Sequence, residues 1–200
     1  MGVRIGVFGG TFDPPHIGHL VAAEEARVQL GLAQVVFVPA GTPPHKLGEP
    51  VSPVTHRVEM ITRAVASNPH FLVSLVDVER PGPSFTVDML RTLRDQWPAD
   101  TEIYFIMGED SLEDLPTWHA PEQLLELCRL AVVNRPGYEA HMDELEVIIP
   151  GLSQKVDTVA MPLLDVSSTD LRGRVRQGRP LRYYVPAEVE AYIRAHDLYA

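Results

Sequence analysis

The chain has 200 residues, 45% of them hydrophobic and 22% charged, which is the balance of an ordinary globular protein with length enough for one well-buried core. A formal net charge of −10 argues against a partner with a polyanionic backbone, and no apolar run approaches the roughly 20 residues that span a bilayer, so neither nucleic acid nor membrane is expected. The lone cysteine, Cys128, has no internal disulfide partner, and no basic-then-apolar leader opens the chain, which makes the cytoplasm the expected compartment.

The first predicted element, Val3-Arg4-Ile5-Gly6-Val7-Phe8, is a short apolar β-favouring run that reads as a buried strand. Gly9-Gly10 then open backbone angles closed to other residues, and Pro14-Pro15 stiffen the exit of a loop. From Ile17 the spacing becomes helical, with Leu20, Val21, Ala23 and Leu30 interleaved with Glu24, Glu25, Arg27 and Gln29. Strand, glycine loop and helix start together present backbone N–H groups to an anion. His16 and His19 share one face of the first turn, with Gly18 keeping that face low, so the pair fits a polyphosphate. A zinc pair is a weaker alternative, since helical zinc sites favour an i, i+4 spacing with a glutamate and no third ligand is evident. Plain surface histidines are another alternative. A G-x-G-x-x-G dinucleotide loop fails, because the glycines are adjacent and the third is missing.

At Gly9-Gly10-Thr11-Phe12-Asp13-Pro14-Pro15-His16-Ile17-Gly18-His19 the chain resembles the G-G-T-F-D-P-x-H-x-G-H signature of the nucleotidyltransferase α/β superfamily, and more narrowly that of the bacterial nicotinate-nucleotide adenylyltransferases. The H-x-G-H element alone is shared with class I aminoacyl-tRNA synthetases; the full run is far more specific. The resemblance implies adenylyl transfer from ATP to nicotinate mononucleotide in NAD biosynthesis, with Mg²⁺ accompanying ATP and no dedicated protein metal site. It puts Gly9, Gly10, Thr11, Phe12, His16 and His19 at ATP, Thr11 also at the mononucleotide, and makes His16 and His19 catalytic.

Gly31 stops the first helix, and Val35–Val38 is a second buried strand leading into Pro39-Ala40-Gly41-Thr42-Pro43-Pro44-His45-Lys46. Loops at the carboxyl ends of strands carry ligands in open α/β sheets, so His45 and Lys46 are candidate phosphate and substrate contacts, Lys46 with a catalytic part. Ser52 is expected to cap the next helix with Pro53 at its first position, and Val54, Val58, Ile61 and Val65 to form its buried stripe. A third strand is expected over Phe71–Val76. Ser84 or Thr86 then caps a helix carrying Leu90 and Leu93. The segment resembles the family's S-Y-T-x-D-T-L, with Phe85 lacking a phenolic hydroxyl and Met89 in place of threonine; the resemblance puts Thr86 near the pyridine ring.

Glu102–Met107 reads as the fourth strand, ending at Gly108-Glu109-Asp110, with Trp118 beyond it. A carboxylate at a strand end can accept from ribose hydroxyls, and an indole can stack on a pyridine. The resemblance accordingly assigns Gly108 and Asp110 to ATP and Trp118 to the nicotinate. A helix from Pro121 to about Cys128 precedes a fifth strand, Leu130–Val133, after which Arg135 is a candidate phosphate ligand by its bidentate guanidinium. Residues 138–155 read as a peripheral helix and loop, and Val156–Ala160 as a last short strand. Asp165-Val166-Ser167-Ser168-Thr169-Asp170-Leu171-Arg172 is a second helix start rich in hydroxyls. It resembles the family's I-S-S-T-x-x-R, which puts Ser167, Ser168, Thr169 and Arg172 at the triphosphate, Arg172 as a catalytic cation folding back over Ser168. The chain closes on an amphipathic helix, Pro186–His196, with Val189, Tyr192 and Ile193 inward.

About six strands alternating with helices give an α/β fold: a single domain over residues 1–200, Rossmann-like and doubly wound, with a mainly parallel sheet and helices on both faces. Small-molecule partners, ATP and nicotinate mononucleotide, are expected, and a homo-oligomer is left open. The rivals are a related nucleotidyltransferase acting on nicotinamide mononucleotide or phosphopantetheine, and a non-catalytic nucleotide-sensing module.

Overall fold

In a computed structural model that describes residues 2–43, 50–134 and 141–200, six strands build one sheet. They are β1 (Arg4–Gly10), β2 (Gln34–Pro39), β3 (Phe71–Val73), β4 (Glu102–Gly108), β5 (Arg129–Asn134) and β6 (Val156–Ala160). Their order across the sheet is β3-β2-β1-β4-β5-β6, and every pairing is parallel. The order reverses between β1 and β4, and ligands of open parallel sheets bind beyond the carboxyl ends of strands at such a point. The connecting helices are α1 (Ile17–Gln29), α2 (Val54–Val65), α3 (Val76–Glu79), α4 (Thr86–Gln96), α5 (Glu109–Glu113), α6 (Pro121–Leu127), α7 (Met142–Ile148), α8 (Ser168–Arg176) and α9 (Ala187–Ala195).

Period-two alternation divides each strand between two cores. From β4, Ile103, Phe105 and Met107 pack with Leu90 and Leu93 of α4 and Leu124 and Leu125 of α6. Tyr104 and Ile106 face the other way, toward Ala22, Ala23 and Ala26 of α1, Met60 and Ile61 of α2, and Val189 and Ile193 of α9. Both faces are covered, which is why the strands read as continuous apolar runs rather than as alternating ones. The alanine face of α1 lets that helix lie close on the sheet. Gly31, at φ +64°, ends it with the left-handed residue expected there.

Five local expectations give way to tertiary contacts. Where the sequence suggests a strand through Val76, β3 ends at Val73, with the Ser74 N–H on the Phe37 carbonyl (2.9 Å) as its last rung; α3 starts at Val76, and buried Asp77 is pulled inward to Arg80 (2.8 Å) and the Gly41 N–H (3.3 Å). Pro53, not Ser52, occupies the N-cap of α2; the Ser52 N–H donates to Asp13 Oδ2 (3.1 Å) and its carbonyl accepts from Arg57 Nε (3.0 Å). The buried face of α2 is Arg57, Met60, Ile61, Ala64 and Val65, leaving Val54 and Val58 half-buried, since Arg57 turns inward. Neither Ser84 nor Thr86 caps α4: Phe85 is the N-cap, and Ser84 Oγ accepts from the Thr42 N–H instead (2.9 Å). Tyr192 is only half-buried, its hydroxyl 2.9 Å from His56 Nδ1. The peripheral helix expected in 138–155 is α7; residues 138–140 lie outside the described residues.

Candidate active site

The loop leaving β1 is shaped by Phe12, which takes a left-handed backbone (φ +51°) and buries its ring against Phe37 and His19. A side chain at Gly10 would stand 2.9 Å from that ring, so the second glycine leaves room for Phe12. At the start of α1 the His16 and His19 rings stack, centroids 3.7 Å apart and 26° between planes. The His16 N–H donates to His19 Nδ1 (3.1 Å), so the neutral His19 ring carries its proton on Nε2. Burial lowers the His16 pKa to about 4; burial, with His16 alongside, holds His19 well below the usual histidine value. Both rings are therefore neutral near pH 7 and act as hydrogen-bonding groups rather than charges. Gly18 is needed where it stands: a Cβ there would meet His16 Nδ1 and Val166 Cγ1, each at 3.1 Å.

The anion-facing amides of α1 are fewer than the motif suggests. The Ile17 N–H is taken by the Tyr184 carbonyl (2.8 Å), and the His19 N–H turns back to the His16 carbonyl (3.0 Å). The Gly18 N–H is the one in that turn that these bonds leave unused. At the other helix start, Ser167 caps α8, its Oγ accepting from the Asp170 N–H (3.1 Å) and donating to Asp170 Oδ2 (2.6 Å).

Two bonds stitch the helix starts together. Ser168 Oγ donates to the Pro14 carbonyl (2.8 Å), and Arg172 Nη1 donates to the Asp13 carbonyl (2.8 Å), with Nη2 on Thr169 Oγ1 (3.3 Å). Arg172 thus reaches Thr169 and Asp13 rather than folding over Ser168. The result is a cavity of about 530 Å³ between α1, the ends of β1 and β4, and α8. His16, Gly18, His19, Gly108, Asp110, Ser167, Ser168 and Thr169 line it, as do Phe8, Glu109 and Val166, which the sequence reading does not single out. A Cβ at Gly108 would point into open space, so packing within the protein does not demand that glycine.

A second cavity of about 290 Å³ adjoins the first, sharing Gly9 and Ser111 with it. Gly10, Thr11, Thr86 and Trp118 line it, and so does Met89, which fills space under Gly9. The Trp118 ring stands edge-on to Phe105 (6.1 Å, 80°), while Phe85 stacks on His119 (4.4 Å). Of the remaining candidates, Phe12 is buried behind His19 and Arg172 lies at the seam behind the first cavity; His45, Lys46 and Arg135 fall outside the described residues. A larger concavity, about 660 Å³, lies between Ile17, the 182–186 segment and α9, but none of the candidate site residues lines it.

Behind the site is a buried polar network that no sequence motif announces. Arg57 donates to the carbonyls of Ser52, Thr11 (3.0 Å), Ala40 (2.7 Å) and Gly41 (3.2 Å), tying the loops after β1 and β2 together. Burial lowers its pKa and the Asp13 carboxylate opposes that shift. Its one trace in the sequence is a cation inside an otherwise apolar helical stripe.

The family model described as cytidylyltransferase-like matches residues 7–174. A Thermomicrobium roseum protein named "Probable nicotinate-nucleotide adenylyltransferase" is 50% identical, the alignment covering 98% of this chain and 91% of that one. A Thermus thermophilus protein of the same name is 46% identical over 98% and 100%. Among solved structures, Plasmodium falciparum nicotinic acid mononucleotide adenylyltransferase complexed with NaAD superposes with a TM-score of 0.79 over 98% of this chain and 97% of that one; at 18% identity it is a likeness of fold.

Proposed function

This chain belongs to the cytidylyltransferase-like family and, within it, to the nicotinate-nucleotide adenylyltransferases, and we propose that its paired cavities join ATP to nicotinate mononucleotide, giving nicotinate adenine dinucleotide and pyrophosphate. The observation that carries this reading is the meeting of two helix starts, α1 and α8, in one cavity that adjoins a second, aromatic-walled one. A phosphate oxygen of the mononucleotide attacks the α-phosphorus of ATP in line, the bond to the bridging oxygen breaks, and pyrophosphate leaves. No side-chain nucleophile is required; the protein brings two anions together and stabilises charge building on the leaving oxygens.

In this reading His16 and His19 donate N–H groups to the triphosphate, and Gly18, Ser168 and Thr169 offer amides. Asp110 accepts from the ribose, and Gly108 leaves room for the nucleoside. Gly9 borders both cavities, while Gly10 and Thr11, expected at ATP, line only the second, with Thr86 and Trp118 at the pyridine ring. Phe12 supports His19 from behind, and Arg172 holds the seam. His45, Lys46 and Arg135 remain proposals from the sequence. Among the described residues lining the first cavity none carries a positive charge and two, Glu109 and Asp110, are acidic, so phosphate charge must be balanced from outside that lining. Mg²⁺ riding on the triphosphate fits that need, and no group of three or more ligating side chains among the described residues is arranged to hold a metal by itself. When bound it would neutralise phosphate oxygens and help the pyrophosphate leave.

No helix among the described residues is long and apolar enough to cross a membrane. A cytoplasmic enzyme acting as one domain fits the reading. The test is a side-by-side rate comparison of the two pyridine mononucleotides with ATP. Nicotinate mononucleotide should be preferred by at least about 10-fold in kcat/KM, because a site whose N–H groups pair with the nicotinate carboxylate loses that pairing with the nicotinamide analogue; equal rates would contradict the assigned substrate.

A further inference from the structure

The segment after α9 makes one contact with the signature loop that adenylyl transfer as described does not use. The Tyr199 hydroxyl donates to Asp13 Oδ1 at 2.6 Å, across 186 residues of sequence. Asp13 is 2% exposed, and its other carboxylate oxygen accepts from the Ser52 N–H. The bond is not an accident of a loose tail. Asp197 and Tyr199 both take left-handed backbone angles (φ +49° and +68°), and Leu198 N–H is tied back to the Ile193 carbonyl (3.1 Å). A bulky residue adopts such an angle only where its surroundings over-determine it. Burial and the Asp13 carboxylate push the phenol well above its usual pKa, so it stays a donor at any working pH.

From Asp13 the mechanical path to the site is short. Its carbonyl accepts from Arg172, the Pro14 carbonyl accepts from Ser168, and Pro14-Pro15 then lead directly to His16. Two consecutive prolines leave that segment little freedom to absorb a shift. The Asp13 side chain is thus held from behind while its backbone holds α8 in front.

We propose that Tyr199 is a positioning residue for adenylyl transfer, its hydroxyl fixing Asp13 and thereby the separation between the His16–His19 pair and the α8 start. This rests on the function proposed above, so the wild-type protein is assayed first with ATP and nicotinate mononucleotide; absence of dinucleotide formation there would count against that function and not against the role of Tyr199. With an active wild type, Tyr199→Phe keeps the ring and loses only the donor. Its kcat should fall on the order of 10-fold, since small misplacements of catalytic groups are costly, while KM for ATP changes less. Met60→Leu serves as the control, because Met60 Sδ also lies near the Tyr199 hydroxyl (3.8 Å). That volume-conserving change should leave kcat within about 2-fold. Thermal melts of both variants set the assay temperature well below unfolding. An unchanged kcat for Tyr199→Phe, whatever its melting temperature, would overturn the proposal, and so would an equal loss in Met60→Leu.

Discussion

At the scale of single residues, burial holds the stacked imidazoles neutral, and this has a thermodynamic signature. The His16 pKa is lowered from 6.5 to about 4 in the folded chain. Above pH 6.5 the ring is neutral folded and unfolded, so its contribution to stability is fully present. As the pH falls from 6.5 toward 4 the unfolded chain takes up the proton first and stability is lost; below about 4 both states are protonated and the loss stops. Urea melts of wild type and His16→Gln at pH 7 and pH 4 should therefore differ in their pH dependence by on the order of 3 kcal/mol, wild type losing more. Parallel losses would mean that His16 is not held neutral by burial. His16, His19, Gly18 and the Ser-Ser-Thr run were legible in the sequence because their chemistry is local, three or four residues apart on a helix start. Asp13, Arg57 and Tyr199 were not, because a phenol meeting a carboxylate 186 residues away leaves no local pattern.

At the scale of elements, the decisive fact is that α8 is fastened to the loop before α1. The Ser168 hydroxyl and the Arg172 guanidinium reach carbonyls 154 and 159 residues away, and these bonds bring the two helix starts to one cavity. Ser168→Ala leaves the Ser167 cap intact and frees the Pro14 carbonyl, so the helix persists while its seat loosens. Its kcat should drop on the order of 10-fold or more, by misplacement, and its stability by about 1 kcal/mol; a steady-state assay beside a thermal melt separates the two, and a stability loss without a rate loss would count against the seam. Strands were the most readable elements, because burial on both faces writes unbroken apolar runs into the sequence. Helix caps were the least readable. Ser52 and Ser84 look like caps by local rule, yet Asp13, Arg57 and Thr42 compete for their backbone and side-chain atoms and win.

At the scale of the whole molecule, an acidic protein of net charge −10 has to receive two phosphate-bearing substrates. Sheet topology gives the place: the reversal of strand order at β1 and β4 opens a crevice where Gly9 and Gly108 meet the two helix starts. That crevice could be anticipated from alternating strands and helices, and Asp110 in its wall from its place at a strand end, whereas the neutrality of the histidines could not, since the proton state of a histidine depends on burial that only the fold creates. In the proposed reaction, catalysis is positioning and donation rather than bulk charge, with His19, whose Nδ1 is occupied by the His16 N–H, as the proposed central donor through Nε2–H. The most direct test is the rate of pyrophosphate release by His19→Ala with saturating ATP and nicotinate mononucleotide. Loss of one positioned donor should lower kcat by on the order of 10²–10³ while ATP affinity falls far less; turnover near that of the wild type would contradict the account.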